Sequence, residues 1–273
     1  MRDFTDTGKQ NNPLKLPVFP YEAAFVVQDR MFKENGELFY PAWEGEPYYA
    51  GFITDENATI PNDRPSKLAE FFGDVMTTNG VVWPKFKVEP RKYRLRLLNG
   101  CDSRYLIVQF YAVPLGTTSL DGQDLVAIPF TLIGADDGLA TEARTLDTVL
   151  FEPSARLDII FDFLPFEDYR IIMANLAGDE PFGGDPTPFL YNRTDRVMAF
   201  DVTLDLNKQV PDDFDESAIA FSDHHVFDVG TTSRVRKLAL FEGRDEYNRL
   251  QPLLGTVEPG RLIIDAEAFH WLG

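Results

Sequence analysis

Phe72–Pro84 (FGDVMTTNGVVWP) and Val88–Asn99 (VEPRKYRLRLLN) decide the fold class of this chain. Asn79-Gly80 separates two β-prone runs, Asp74–Thr78 and Val81–Trp83. An Asn-Gly pair supplies the positive φ angles that a tight hairpin needs. Pro90 cannot sit inside a central ladder, so it marks the start of a strand rather than its middle. After it, Lys92–Leu98 (KYRLRLL) alternates charged and apolar residues with period two, the pattern of a half-exposed strand. The stems of Arg91, Arg94 and Arg96 can cover apolar surface while their heads pair with carboxylates.

The same punctuation recurs outward from this block. Glu22–Gln28 is a short apolar run, and Asn35-Gly36 marks a turn. Strand-like runs follow at Tyr105–Tyr111, Phe130–Ile133, Thr148–Phe151, Arg156–Phe163, Tyr169–Ala174 and Val197–Leu204. Gly134–Gly138, with Asp136 and Asp137, suits an Asx-type turn. Amphipathic helices are scarce; Pro65–Phe72 is the one short candidate. Many short strands at this spacing predict an all-β sandwich.

Composition agrees. The 273 residues are 44% hydrophobic and include 23 Phe, enough aromatic bulk to fill the space between two sheets. The net charge of −18 repels phosphate backbones and anionic bilayers, so neither nucleic acid nor a membrane surface is an expected partner. No apolar run is long enough to span a bilayer as a helix. With Cys101 as the one cysteine, no internal disulfide can form. Residues 1–20 are polar and punctuated by Pro13, Pro17 and Pro20, and read as an extended lead-in. Residues 40–66 read as an irregular surface excursion. Residues 206–233 are acidic and strand-poor, as a linker would be. Beyond them, Arg236–Phe241 and Arg261–Asp265 are two more strand-like runs. The expected division is therefore 1–20 lead-in, 21–205 main sandwich, 206–233 linker and 234–273 the start of a second, incomplete sandwich.

Several segments resemble multicopper oxidases of the spore-coat laccase and bilirubin oxidase type. They are Phe25–Phe32 (FVVQDRMF), Asn35–Pro41 (NGELFYP), Phe72–Pro84, Val88–Asn99, Ile133–Leu139 (IGADDGL) and Phe151–Phe163 (FEPSARLDIIFDF). Their order is that of the family's middle domain, which implies a cupredoxin-like Greek-key β-sandwich over residues 21–205. Arg236–Gly243 and Leu250–Gly255 resemble the opening strands of the family's third domain. The resemblance implies a parent that oxidises phenolic or bilirubin-like substrates and reduces oxygen to water. It also implies copper in the full-length parent and none in this chain, because the family draws its ligands from the first and third domains.

The residues themselves say the same of the metal. Copper needs imidazoles and a soft thiolate. This sequence holds only His224, His225 and His270, with no His-x-His and no His-Cys-His motif. His224 and His225 are adjacent, so in an extended chain their rings point to opposite sides and they read as loop residues. His270 does not match the ligand motif. Cys101, in LLNGCDSRY, reads as a buried structural thiol rather than a copper ligand. Asp158 and Asp162 read as solvent-facing strand positions rather than a catalytic carboxylate pair. Gly183-Gly184-Asp185 reads as a loop. No catalytic, cofactor-binding or metal residue is assigned.

Three functions fit unequally. The first is a structural middle domain, not catalytic alone, whose partners are the missing first and third domains or a second copy through the exposed interface. The second is a self-standing binding module using the aromatic segment Phe39–Phe52 (FYPAWEGEPYYAGF). The third is a hydrolase using an acidic pair, but nothing in the sequence selects a pair.

Overall fold

The computed structural model describes residues 6–9, 11–43, 45–47, 70–120, 124–136, 138–179, 193–220, 237–245, 250–257, 263–264 and 269–270. Contacts gather the chain into two units, Met1–Leu38 with Phe72–His224, and Phe39–Phe71 with His225–Gly273.

The first unit is a sandwich of two sheets. Its strands are β1 (Glu22–Phe32), β2 (Leu38–Phe39), β3 (Val75–Thr78), β4 (Val81–Val82), β5 (Lys85–Val88), β6 (Lys92–Asn99) and β7 (Leu106–Pro114). They continue with β8 (Phe130–Ala135), β9 (Gly138–Leu146), β10 (Val149–Phe151), β11 (Arg156–Asp162), β12 (Tyr169–Asn175) and β13 (Arg196–Val202). One sheet runs β4-β3-β1-β6-β11-β8-β9, with β2 added on β1; the other runs β10-β7-β12-β13-β5. The chain changes sheet after β4, β5, β6, β7, β9, β10 and β11. The resulting β1/β6 and β5/β13 pairs are parallel, which no chain of simple hairpins produces.

The Asn79-Gly80 turn forms as its residues require. Both have positive φ, 51° and 80°, and Thr78 pairs with Val81. The Asn79 amide then pins the hairpin to β1: its Oδ1 accepts from the Val26 N–H at 2.8 Å, and its Nδ2 donates to the Ala24 carbonyl at 3.0 Å.

Inward-facing side chains of the two sheets interleave. Leu95, Leu97, Ile159 and Phe161 meet Val108, Phe110, Ile171, Met173 and Phe200 in one core. A run of touching rings crosses it. Centroid separations are 5.4 Å for Phe130–Phe110, 4.8 Å for Phe110–Phe161, 4.5 Å for Phe161–Phe163 and 5.2 Å for Phe163–Phe200. Aromatic pairs of this kind contribute about 0.5–1.5 kcal/mol each beyond the area they bury.

Two departures from the sequence reading stand out. β9 (Gly138–Leu146) continues where only a turn was expected; GLATEARTL lacks clear apolar alternation, and none of its residues is fully buried. The second departure concerns β6. Its period-two pattern suggested one wet face, yet Arg94 is 1% exposed. The outer face of this sheet is covered by residues 6–20 and 207–220, which form no strands of their own. Leu14, Leu16, Phe214 and Ile219 pack there against Ile133 and Ile160 as a second core. Beside them Arg94 Nε donates to Asp158 Oδ1 at 2.8 Å and Nη1 to Asp6 Oδ2 at 2.8 Å. Asp158 is therefore not a solvent-facing residue; its register opposite Arg96 places it within this charged group.

The second unit contains the antiparallel pair β14 (Lys237–Arg244) and β15 (Leu250–Val257), and the short pair β16 (Ile263–Ile264) and β17 (Phe269–His270). Leu240 and Leu254 face each other across the first pair, 84% and 68% exposed.

Removing one partner of a buried ion pair leaves an uncompensated charge and costs about 3–5 kcal/mol. Arg94→Ala should lower the unfolding free energy by about that amount in urea titration. Arg94→Lys should recover only part of it, because a lysine cannot bridge two carboxylates in a fork.

Candidate functional site

Cys101 lies at the start of the loop between β6 and β7. Asn99, fully buried, folds that loop: its Nδ2 donates to the carbonyls of Arg104 at 3.0 Å and Phe151 at 2.8 Å, and its Oδ1 accepts from the Cys101 N–H at 3.0 Å. The thiol lies 4.0 Å from the Val27 carbonyl. Next to it is a second buried ion pair. Asp29 on β1 and Arg104 are both 0% exposed, with Arg104 Nε donating to Asp29 Oδ2 at 3.0 Å. Gly73 completes the group. Its N–H donates to the same Asp29 oxygen at 2.7 Å, and its carbonyl accepts from Arg104 Nη2 at 2.7 Å. A Cβ on Gly73 would lie 2.4 Å from the Arg30 backbone nitrogen, so this close approach admits only glycine. Arg104 Nη1 reaches out to Asp179.

The electrostatics of this group oppose metal binding. Burial pushes the Cys101 thiol well above its ordinary pKa, and the Asp29 carboxylate raises it further. Burial also works against the Arg104 charge, but Asp29 and Asp179 more than offset it and hold the guanidinium above its usual value. A copper ion here would meet a carboxylate already engaged by two donors and a fixed positive charge, with no metal-holding group of His, Cys, Asp and Glu around the thiol among the described residues. These residues do not fit a copper site, for which imidazole and thiolate are the donors.

The other candidates are scattered. His224, His225, Gly183-Gly184-Asp185 and residues 48–52 of the aromatic segment lie outside the described residues. His270 falls on β17 opposite Ile263, its side chain also outside them. Of the described part of the aromatic segment, Tyr40 stacks on Phe71 at 5.5 Å and Trp43 is 42% exposed. Asp158 and Asp162 stand four residues apart on one strand, about 13 Å at the usual rise. The first pairs with Arg94, while the second accepts the Leu164 N–H at 2.9 Å and so caps a turn. They form no acid–base pair. Among the described residues, no three His, Cys, Asp or Glu side chains gather as a metal-holding group.

Sequence reasoning missed Asp6, Asp29 and Arg104 as a class. The available signal was a charge inside an apolar strand, Asp29 in FVVQDRMF. Its partner lies 75 residues away, which no local pattern reveals.

No family model matches the chain. The laccase of Bacillus subtilis (strain 168) is 34% identical over 245 residues, 89% of this chain and 41% of the laccase. Bilirubin oxidase of Albifimbria verrucaria is 34% identical over 139 residues, 51% of this chain and 23% of that enzyme. The chain is a homologue of the multicopper oxidases. Among solved structures, the McoA multicopper oxidase from the hyperthermophile Aquifex aeolicus aligns over 83% of this chain and 40% of its own, with a TM-score of 0.51 at 21% identity. That likeness concerns the fold, and it identifies the sandwich as cupredoxin-like. The chain spans less than half the length of these multicopper oxidases.

The burial of Cys101 has two measurable consequences. In native buffer Ellman's reagent should leave it unlabelled over hours, and unfolding in denaturant should release one reactive thiol. Because the folded state holds the thiol proton more tightly than the unfolded state does, the folded state binds more protons above the ordinary thiol pKa. Stability from this group is then complete below about pH 8.5 and is lost as pH rises. Cys101→Ala should flatten the fall in urea midpoint between pH 8 and 10 relative to the parent chain.

Proposed function

We propose that residues 21–205 form the middle sandwich of a laccase-like multicopper oxidase, with 206–233 as a connector and 234–273 as the opening of the sandwich that follows. In this reading the domain is a structural spacer. Its partners are the first and third domains, which it holds at the separation their shared copper chemistry needs. The parent would oxidise phenolic or bilirubin-like substrates and reduce oxygen to water; this chain by itself would bind no copper and catalyse nothing.

The observation that carries the proposal is the mismatch of alignment extents. One relative matches 89% of this chain, while that match uses 41% of the relative. The spacer role is further supported by how the buried polar groups are used. Arg94 pairs with Asp6 and Asp158, and Arg104 with Asp29, inside the fold.

The test is metal loading of the purified chain. After incubation with copper(II) and dialysis, it should hold well under one copper per chain by elemental analysis, show no intense band near the thiolate–copper region, and leave phenolic substrates unoxidised. A blue protein carrying several coppers per chain would overturn the proposal.

A further inference from the structure

Residues 6–18 arrive at the sandwich and residues 207–220 leave it, and both cross the outer face of the same sheet. Each has its own anchors. The incoming segment is held by Asp6, which takes Arg94 at 2.8 Å and Arg96 at 3.1 Å. The Asn12 side chain folds it back, accepting from the Leu16 N–H at 2.8 Å and donating to the Leu16 carbonyl at 2.9 Å. The outgoing segment is held mainly by Arg91. Its buried guanidinium lies 3.7 Å over the Tyr21 ring and donates to the carbonyls of Asn207 at 3.4 Å, Val210 at 3.2 Å and Pro211 at 2.7 Å. Further along, the Ala143 N–H donates to the Ile219 carbonyl at 3.2 Å, and Ala220 bridges to Glu142 at the β9 edge.

The two segments also depend on each other. Leu14 and Leu16 from one, and Phe214 and Ile219 from the other, bury together over Ile133 and Ile160. Each pair covers part of the other's apolar surface within that cluster. Removing one would therefore wet the other. The exposed Lys15–Asp213 bridge, 2.8 Å long, adds little, since exposed pairs contribute at most about 1 kcal/mol. A cavity of about 320 Å³ parts the segments beside Arg91 and Tyr21, so the shared apolar cluster carries the link there.

We infer that the incoming and outgoing segments form one clasp across the outer face of the sandwich, so that loosening either loosens the other. Coupling of this kind is reciprocal by thermodynamic necessity. The inference goes beyond the spacer reading and holds whether or not that reading does, because it concerns only contacts within this unit.

Hydrogen exchange on the full chain tests it. Leu16→Ala should speed exchange by about tenfold or more at the Ala143 N–H, whose acceptor is Ile219, while core amides such as Met173 stay protected. Phe214→Ala should do the same at the Leu16 N–H, whose acceptor is Asn12. Asp6→Ala releases the incoming segment without cutting the apolar cluster, and should also reach Ala143. The clasp is wrong if each variant loosens only its own segment, or if Leu16→Ala exposes Met173 as fully as Ala143. Either result would be visible in the same peptide maps and independent of copper content.

Discussion

Taking the Arg94 guanidinium out of water costs several kcal/mol, and Asp6 and Asp158 repay that cost only from fixed positions. Asp158 is fixed by the β11 ladder. Asp6 reaches Arg94 and Arg96 from the incoming segment, so that segment must stay on the sheet for this pairing to persist. From this follows the layering of the unit. A sandwich needs only its inner faces dry, but once an arginine on the outer face is buried, the outer face must be covered too. Leu14 and Leu16 supply part of that cover, and Phe214 and Ile219 supply the rest. The sheet is thus buried on both faces around β6 and β11, although its sequence alternates as a one-sided sheet would.

The Asp29–Arg104 pair does the same job at the other end of β6. It ties β1 to the backbone at Gly73 and to the loop after Asn99, three pieces of chain that are distant in sequence. The Gly73 N–H donates to Asp29 and its carbonyl accepts from Arg104, and the missing Cβ lets the chain approach near enough for both bonds. A buried pair of this sort is weak support for stability compared with an apolar replacement. Its stronger effect is geometric: one register of β1 against Gly73 lets Asp29 accept both donors, and a slip by one residue would strand a buried charge.

The parts of the fold legible in the sequence are those set by neighbours. Asn79-Gly80 fixes its hairpin through its own φ angles. The alternation in β6 and β11 selects Leu95, Leu97, Ile159 and Phe161 as the inward set whatever covers the other face. Family likeness was legible too, because its motifs include turn and strand-boundary residues such as Asn79, Pro90 and Asn99, which mark themselves in the sequence even where their side chains bond far away. What could not be read was the fate of the outward charges. The partner of Arg94 that decides its burial lies 88 residues away in a polar, proline-broken stretch. A period-two pattern cannot distinguish water from a crossing segment. β9 was missed for the opposite reason: it lies so near the surface that no apolar alternation marks it.

Likeness of fold and likeness of chemistry then separate along physical lines. A cupredoxin-like sandwich offers a rigid frame, and what the frame does depends on the groups placed at its buried polar positions. A copper-binding member must place imidazoles and a thiolate so that they converge and stay deprotonated. Here the one cysteine sits beside a carboxylate and a guanidinium, and burial keeps its proton on. Those same charges hold β1, Gly73 and the Asn99 loop together. The polar interior is thus already committed to fixing the positions of strands. Under the proposed spacer role, the packed core and these buried ion pairs are what would supply distance and rigidity.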